Sequence, residues 1–201
     1  MARPVNADPA ETRSRVLAAA ARLFAQRGRD AVSMRTIAGA AGTTAATLHH
    51  YFGNKDALYD ACVDAMYARV REIGAQVALT LTQTDAFTEI IAAGICAAYG
   101  AARAHQDAVR LMSRHVLDHG EAAAPRRTDA VNRFLSLADP FVARISPLSP
   151  GERRGMLYSF MLLFNRAVLL EPTEVSLVWP DGDVEGALVG AFTRMLAVQV
   201  D

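Results

Sequence analysis

Residues 33–55, SMRTIAGAAGTTAATLHHYFGNK, decide how this chain folds. Ser33 stands where an N-cap is needed, Ile37, Ala38 and Ala41 follow at helical spacing, and Gly42 stops the run. Thr44 can then cap a further short helix reaching about Tyr51. Two short helices joined across a glycine turn predict a helix-turn-helix. Upstream, Asp8-Pro9-Ala10-Glu11 opens a longer helix with a carboxylate cap, proline at the first helical position and glutamate three residues past the cap. Val16, Leu17, Ala20, Leu23 and Phe24 recur along it at helical spacing, and Gly28 ends it.

Charge separates this end of the chain from the rest. Residues 1–55 hold eight Lys and Arg against three Asp and Glu, a net +5, and the remainder is −5, although the whole chain sums to zero. A basic segment on an acidic body is an electrostatic reason to expect a polyanion at the N-terminal end.

Placing the short helix at 100° per residue with Leu48 inward turns Ala45, Tyr51 and Phe52 towards the core. Ala46 and His50 then face away, with Thr47 and His49 on the flanks. Small outward residues suit a helix lying close to the major groove of DNA, where Ala or a Thr methyl meets thymine methyls and histidine reaches a base edge or phosphate. Ser33 and Thr44 are expected to bring hydroxyls and helix N-terminal amides to phosphates. Arg35 is the best candidate for a bidentate guanine contact. Adjacent histidines point about 100° apart and cannot share an ion without a third ligand, so His49 and His50 are not read as a metal site.

Downstream, Asn54 caps a long pattern from Lys55 to about Leu81, with Leu58, Cys62, Met66, Val70, Ile73 and Val77 at three- and four-residue intervals. Helical patterns follow at about Asp85 to Ala104, Gln106 to His119, Pro125 to Ile145, Pro150 to Leu170 and Val184 to Val200. Between the last two, EPTEVSLVWPDGD has two prolines and no helical period and reads as a loop. The expectation is an all-α protein of about nine helices. Its parts are a tail over 1–8, a helix-turn-helix unit over 9–54 and a larger helical unit over 55–201.

Composition agrees: aromatics are only 7% of the 201 residues, and Ala-rich runs such as VLAAAARLFAQ replace the β-branched runs that strands prefer. Apolar runs such as MLLF and AVLL are broken by Asn165 and Arg166, short of the ~18 to 20 residues of a membrane span. MARPVNADPAE lacks the apolar region of a secretory signal, and a cytoplasmic protein is expected. Cys62 and Cys96 have neither CxxC spacing nor partners in sequence and read as buried thiols. No Ser-His-Asp order, glycine-rich phosphate loop or close carboxylate pair is present, so neither an enzyme nor a cofactor is expected.

From Arg15 to Asp60 the chain closely resembles the DNA-binding domain of the tetracycline-repressor (TetR) family of bacterial transcriptional regulators. The matching pieces are the Ala-Ala-Leu-Phe helix ended by Gly28, Met34-Arg35-Thr36-Ile37-Ala38, Ala41-Gly42, Thr47-Leu48, and Tyr51-Phe52-Gly53-Asn54-Lys55 followed by Leu58. Their shared order and spacing over about fifty residues carry the resemblance. It implies that Ser33, Arg35, Thr44, Ala45, Ala46, Thr47, His49, His50 and Lys55 lie at the DNA, with Lys55 clamping the backbone. His49 stands where relatives usually have a tyrosine that meets a phosphate. A neutral histidine donates one hydrogen bond, and protonation adds a charge.

The resemblance further implies a homodimer through about 150–170 and 184–200, a near-palindromic operator and a small-molecule effector bound by the middle helices. Candidate pocket walls are Phe87, Ile91, Met112, Val116, Phe134, Phe141, Phe160 and Phe164, and Tyr99, Arg103, His115 and Asn165 are polar groups on otherwise apolar patterns. Apolar residues of this kind are more often plain core than ligand wall, and the four polar ones read equally as satisfied core polars or interface residues. Repression released by the effector, as a population shift in the spacing of the two DNA-binding units, is the expected mechanism. A metal-responsive regulator is the alternative, because His115 and His119 stand four apart on one helix. An all-helical enzyme is the remote one.

Overall fold

The helices begin where local chemistry starts them. Asp8 accepts from the amide of Ala10 at 2.9 Å and Ser33 Oγ from that of Thr36 at 3.1 Å. Thr44 Oγ1 accepts from the Thr47 amide at 3.2 Å and Asn54 Oδ1 from that of Ala57 at 2.8 Å. Each bond satisfies an amide that the first turn leaves without a partner. The computed structural model describes residues 8–81, 87–120, 124–144 and 146–197, apart from the side chains at 80, 81, 87, 88, 90, 124 and 197.

Among these residues there are ten helices and no strand. They are α1 (Pro9–Arg27), α2 (Met34–Ala40), α3 (Ala45–Phe52), α4 (Lys55–Leu81), α5 (Phe87–Ala104), α6 (Gln106–His119), α7 (Ala124–Val142), α8 (Pro150–Val168), α9 (Pro172–Val178) and α10 (Val184–Ala197). The tail over 1–7 and the helix limits expected at Asp85, Ile145 and Val200 lie outside the described residues. α9 corrects the sequence reading, which made it loop. It is a helix of seven residues with none buried, started by Pro172 and by Glu174, whose carboxylate accepts from the Glu171 amide at 3.1 Å. Val175 alone of its apolar side chains is part-buried against the second core, while Leu177 and Val178 are exposed, so it has no apolar period to detect.

Two cores organise the chain. The first gathers Val16, Leu23 and Phe24 of α1, Ile37 of α2, Leu48 and Phe52 of α3, and Leu58, Val63 and Met66 of α4, together with Leu111 of α6. The second joins Ile95 and Tyr99 of α5, Val109 of α6, Leu135 of α7, Leu157 and Phe160 of α8, and Leu188 and Phe192 of α10. The first core therefore runs past residue 54 into α4, because α1 packs along that helix as well as along α6.

Val109 and Leu111 are two positions apart on α6 and so point about 200° apart. Each is buried in a different core. α6 is thus the layer between an N-terminal head and a C-terminal body. Arg114 of α6 adds a polar tie, donating through Nε to the carbonyl of Ala25 at 3.3 Å.

Candidate nucleic-acid interface

Helix α3 is held from one side only. Leu48 is fully buried and Phe52 nearly so, while Ala45 and Tyr51 pack part-buried against the same core. The guanidinium of Arg13 lies 5.3 Å from the centre of the Phe52 ring, a cation–π contact that braces α3 from α1. The opposite face, with Ala46, His49 and His50, is exposed. Thr47 is half-buried, its hydroxyl 2.9 Å from that of Thr44.

The turn that aims α3 depends on Gly42, which sits at φ 63°, a left-handed conformation that side-chain-bearing residues rarely adopt. The Thr43 amide then closes back onto the carbonyl of Ala38 at 2.9 Å. Ser33 and Thr44, the two caps, are exposed at the starts of α2 and α3 with their free amides beside them. Arg35 projects from the first turn of α2, exposed and without an ion pair or hydrogen bond to any described residue.

His49 is more constrained than the sequence suggests. Its Nδ1 lies 2.6 Å from the carbonyl oxygen of Gly53, and a carbonyl can only accept, so Nδ1 carries the proton. In the neutral ring the single donor is therefore spent inside the protein, and Nε2 offers a lone pair. The one hydrogen bond that the sequence allows a neutral histidine to donate is the one to Gly53. Neutral His49 can accept from a base amino group, and it donates outward only when protonated. Gly53, at φ 77°, ends α3 and makes the contact possible.

Lys55 is also engaged. Its Nζ donates to the carbonyl of Arg29 at 3.2 Å, and the Arg29 guanidinium pairs with Asp56 at 2.7 Å. The turn after α1 and the start of α4 are thereby stitched together behind α3. No periodicity announced Arg29 in the sequence, because it stands in the connection between two helices.

In the body, Tyr99 and Phe160 are buried in the second core, with Ile91, Phe134 and Phe164 part-buried against it. The Tyr99 and Phe160 rings each lie 6.3 Å from that of Phe164. Asn165, Phe141 and Val116 are half-buried. The side chain of Phe87 lies outside the described residues.

Three pocket candidates stand apart from that group. Met112 packs on the first core. Arg103 is exposed and donates to the carbonyls of Val168 and Leu170 at 3.0 and 3.2 Å, so it caps the end of α8. His115 is buried against the head, its Nδ1 3.3 Å from the phenol of Tyr59. His115 and His119 do meet, with ring centres 4.7 Å apart. Among the described residues, however, no three His, Cys, Asp or Glu side chains are grouped to hold a metal ion. Burial moves His115 below the usual imidazole range, helped by His119 and Arg126, against the opposite pull of Asp60 and Asp118. Burial also pushes Tyr59 and Cys62 up to about 12, so both remain protonated.

A three-helix head that fixes a short helix by one face and exposes its other face beside two helix N-termini defines a helix-turn-helix protein. Comparison with known proteins gives the same answer in finer terms. Residues 16–62 match the family described as "Bacterial regulatory proteins, tetR family". The HTH-type transcriptional repressor KstR2 of Rhodococcus jostii (strain RHA1) is 32% identical over 102 residues, covering 49% of this chain and 50% of that protein. The HTH-type transcriptional regulator BetI of Brucella suis biovar 1 (strain 1330) is 37% identical over 97 residues, 48% of each. The chain spans about half the length of the curated relatives it matches.

Over nearly the whole chain the fold is that of a TetR-like transcriptional regulator from Rhodococcus sp. RHA1. The TM-score is 0.71 at 17% identity, covering 95% of this chain and 96% of that one. The fatty acid degradation regulator FadR from Bacillus halodurans aligns at TM-score 0.65 and 16% identity, covering 96% of both. The match to the tetR family of bacterial regulatory proteins thus covers residues 16–62, and over nearly the whole length the likeness is one of fold. Its named relatives are transcriptional regulators, a class distinct from enzymes. No described helix is long and apolar enough to cross a membrane.

Proposed function

We propose that this chain is a sequence-specific DNA-binding transcriptional regulator, a repressor that leaves a near-palindromic operator when a small molecule binds its body. The observation that carries the reading is the presentation of α3, with Leu48 and Phe52 sunk in the core and Ala46, His49 and His50 outward. Arg35, without an ion pair or hydrogen bond to any described residue, reads a base. Ser33, Thr44 and Lys55 hold phosphates on either side of α3.

A homodimer accompanies this reading. α8 leaves Tyr158, Leu162 and Leu163 on its surface at 38%, 52% and 46% exposure, an apolar strip on a helix whose other face fills the second core. A second copy of α8 and α10 would cover it, and two heads related by a twofold axis would read two half-sites. The Tyr99, Phe160 and Phe164 cluster is the place for an apolar effector. α6, buried on both faces, would carry its effect from body to head as a change in head spacing.

The test is selection of bound duplexes from a random library by the purified chain, followed by a screen for small molecules that release the selected site. Enrichment of a twofold-related motif is expected. Failure to enrich any motif would overturn the reading.

A further inference from the structure

A second site lies between head and body, outside the apolar core of the body. A cleft of about 210 Å³ opens where the turn after α1 and the starts of α4 and α7 meet the end of α6. Arg29 and Arg126 wall it, Tyr59 and His115 form its deepest part, and His119 stands beside them. None of these side chains belongs to the outward face of α3.

The charges in the wall are ordered. Arg29 pairs with Asp56 and Arg126 with Asp64, and in both pairs the guanidinium is the inner partner. Arg29 is 35% exposed against 67% for Asp56, and Arg126 is 41% against 65% for Asp64. The guanidinium groups are therefore less exposed than their carboxylates, although Asp56 and Asp60 also belong to the lining.

Two polar atoms in the same wall are buried and have no hydrogen-bond partner among the described residues, Arg29 Nε and His115 Nε2. Arg29 Nε always bears a proton. Tyr59 keeps its O–H, and when that group donates to His115 Nδ1 the imidazole proton sits on Nε2. Both atoms are then donors, and buried donors strongly favour an acceptor. His115 itself is 96% buried, at 4% exposure. His119 Nδ1 donates to the His115 carbonyl at 3.1 Å, which fixes its ring over Tyr59 with centres 5.4 Å apart.

Two donors set among guanidinium groups suit the two oxygens of a carboxylate. Asp56 and Asp60, both exposed at the rim, penalise a second negative charge. We propose that this cleft binds a small monocarboxylate, held by Arg29 Nε and His115 Nε2 with Arg126 as a further cation. The ligand would touch the residue whose carbonyl receives Lys55, placing it at the junction through which head and body communicate. The site stands on the geometry of the cleft and holds whether or not the chain binds DNA.

The experiment is a titration of the full chain, labelled with 15N-histidine, with sodium acetate against sodium chloride of equal ionic strength, read by NMR at the imidazole nitrogens. Saturable shifts of His115 and His119 with acetate are expected. Binding should weaken at least tenfold in Arg29→Met and, as a second variant that leaves Arg29 in place, in Arg126→Gln. Inorganic phosphate should bind more weakly than acetate. Shifts that grow linearly, match those of chloride or persist in both variants would overturn the proposal and leave solvent as the donors' partner. Phosphate binding as tightly as acetate would overturn the monocarboxylate assignment.

Discussion

Replacing Lys55 by alanine separates two jobs that the structure gives one side chain. Its Nζ has three protons, and one is committed to the Arg29 carbonyl at 3.2 Å. A charged donor on a neutral acceptor is worth about 1.5 to 3 kcal/mol when buried, and half-burial of the lysine reduces that to roughly 1 kcal/mol. For a chain of this length such a loss lowers Tm by about 2 to 4 °C. The remaining protons are available to a phosphate. Each phosphate contact contributes about 0.9 to the slope of log K against log salt. A dimer of Lys55→Ala heads should therefore lose about 1.8 from that slope, or roughly 30-fold in affinity at 0.15 M salt. Fluorescence anisotropy with the selected duplex and a scrambled one, at four salt concentrations, measures this directly. The loss should be alike on both duplexes, and Lys55→Arg should largely restore the slope. An unchanged slope with the expected fall in Tm would show that Lys55 only holds the turn after α1, and the reasoning about phosphate would fail.

Other consequences are as direct. Leu48→Ala removes a fully buried side chain from the centre of the first core and should cost about 2 to 5 kcal/mol, seen as a fall in the urea midpoint; a midpoint equal to wild type would mean α3 is not anchored there. His115 is held below its ordinary value of 6.5, so under acid the unfolded chain takes a proton that the folded one resists. Stability should accordingly be full above about pH 6.5 and fall below it, by at most about 1.4 kcal/mol per pH unit from this group. His115→Gln should flatten the difference between urea midpoints at pH 5.5 and 7.5, and an undiminished difference would place the effect elsewhere. Glutamate at both Leu162 and Leu163 should turn a dimer into a monomer by sedimentation without lowering helix content, since both side chains are already about half exposed; an intact dimer would move the interface off α8.

Local signals were the most legible in the sequence. The caps at Asp8, Ser33, Thr44 and Asn54 lie within three residues of the amides they serve, so the chain alone predicts them, and all four make the bond. The phase of α3 was equally legible, because the burial of Leu48 and Phe52 sets every other residue of that helix. α9 escaped because a helix without a buried residue leaves no periodic trace.

Contacts made across the fold were not readable. The bond from His49 to Gly53 depends on how α3 ends, and the engagement of Lys55 depends on a carbonyl 26 residues away. The effector-pocket candidates are apolar or isolated polar positions, and such positions fill whichever core is nearest. α6 supplies both cores, Leu111 pointing about 200° away from Val109, which is why His115, one turn after Leu111, fell to the head while Val109 went to the body.

The central claim is that the outward face of α3 meets DNA, and Ala46→Glu tests it most directly. Ala46 is exposed and belongs to neither core, so the substitution leaves the fold intact while setting a negative charge where the phosphates and base edges would lie. Titration of the selected duplex should show a loss of binding of more than about tenfold at 0.15 M salt, with Tm unchanged. Wild-type affinity in a folded Ala46→Glu chain would contradict the account.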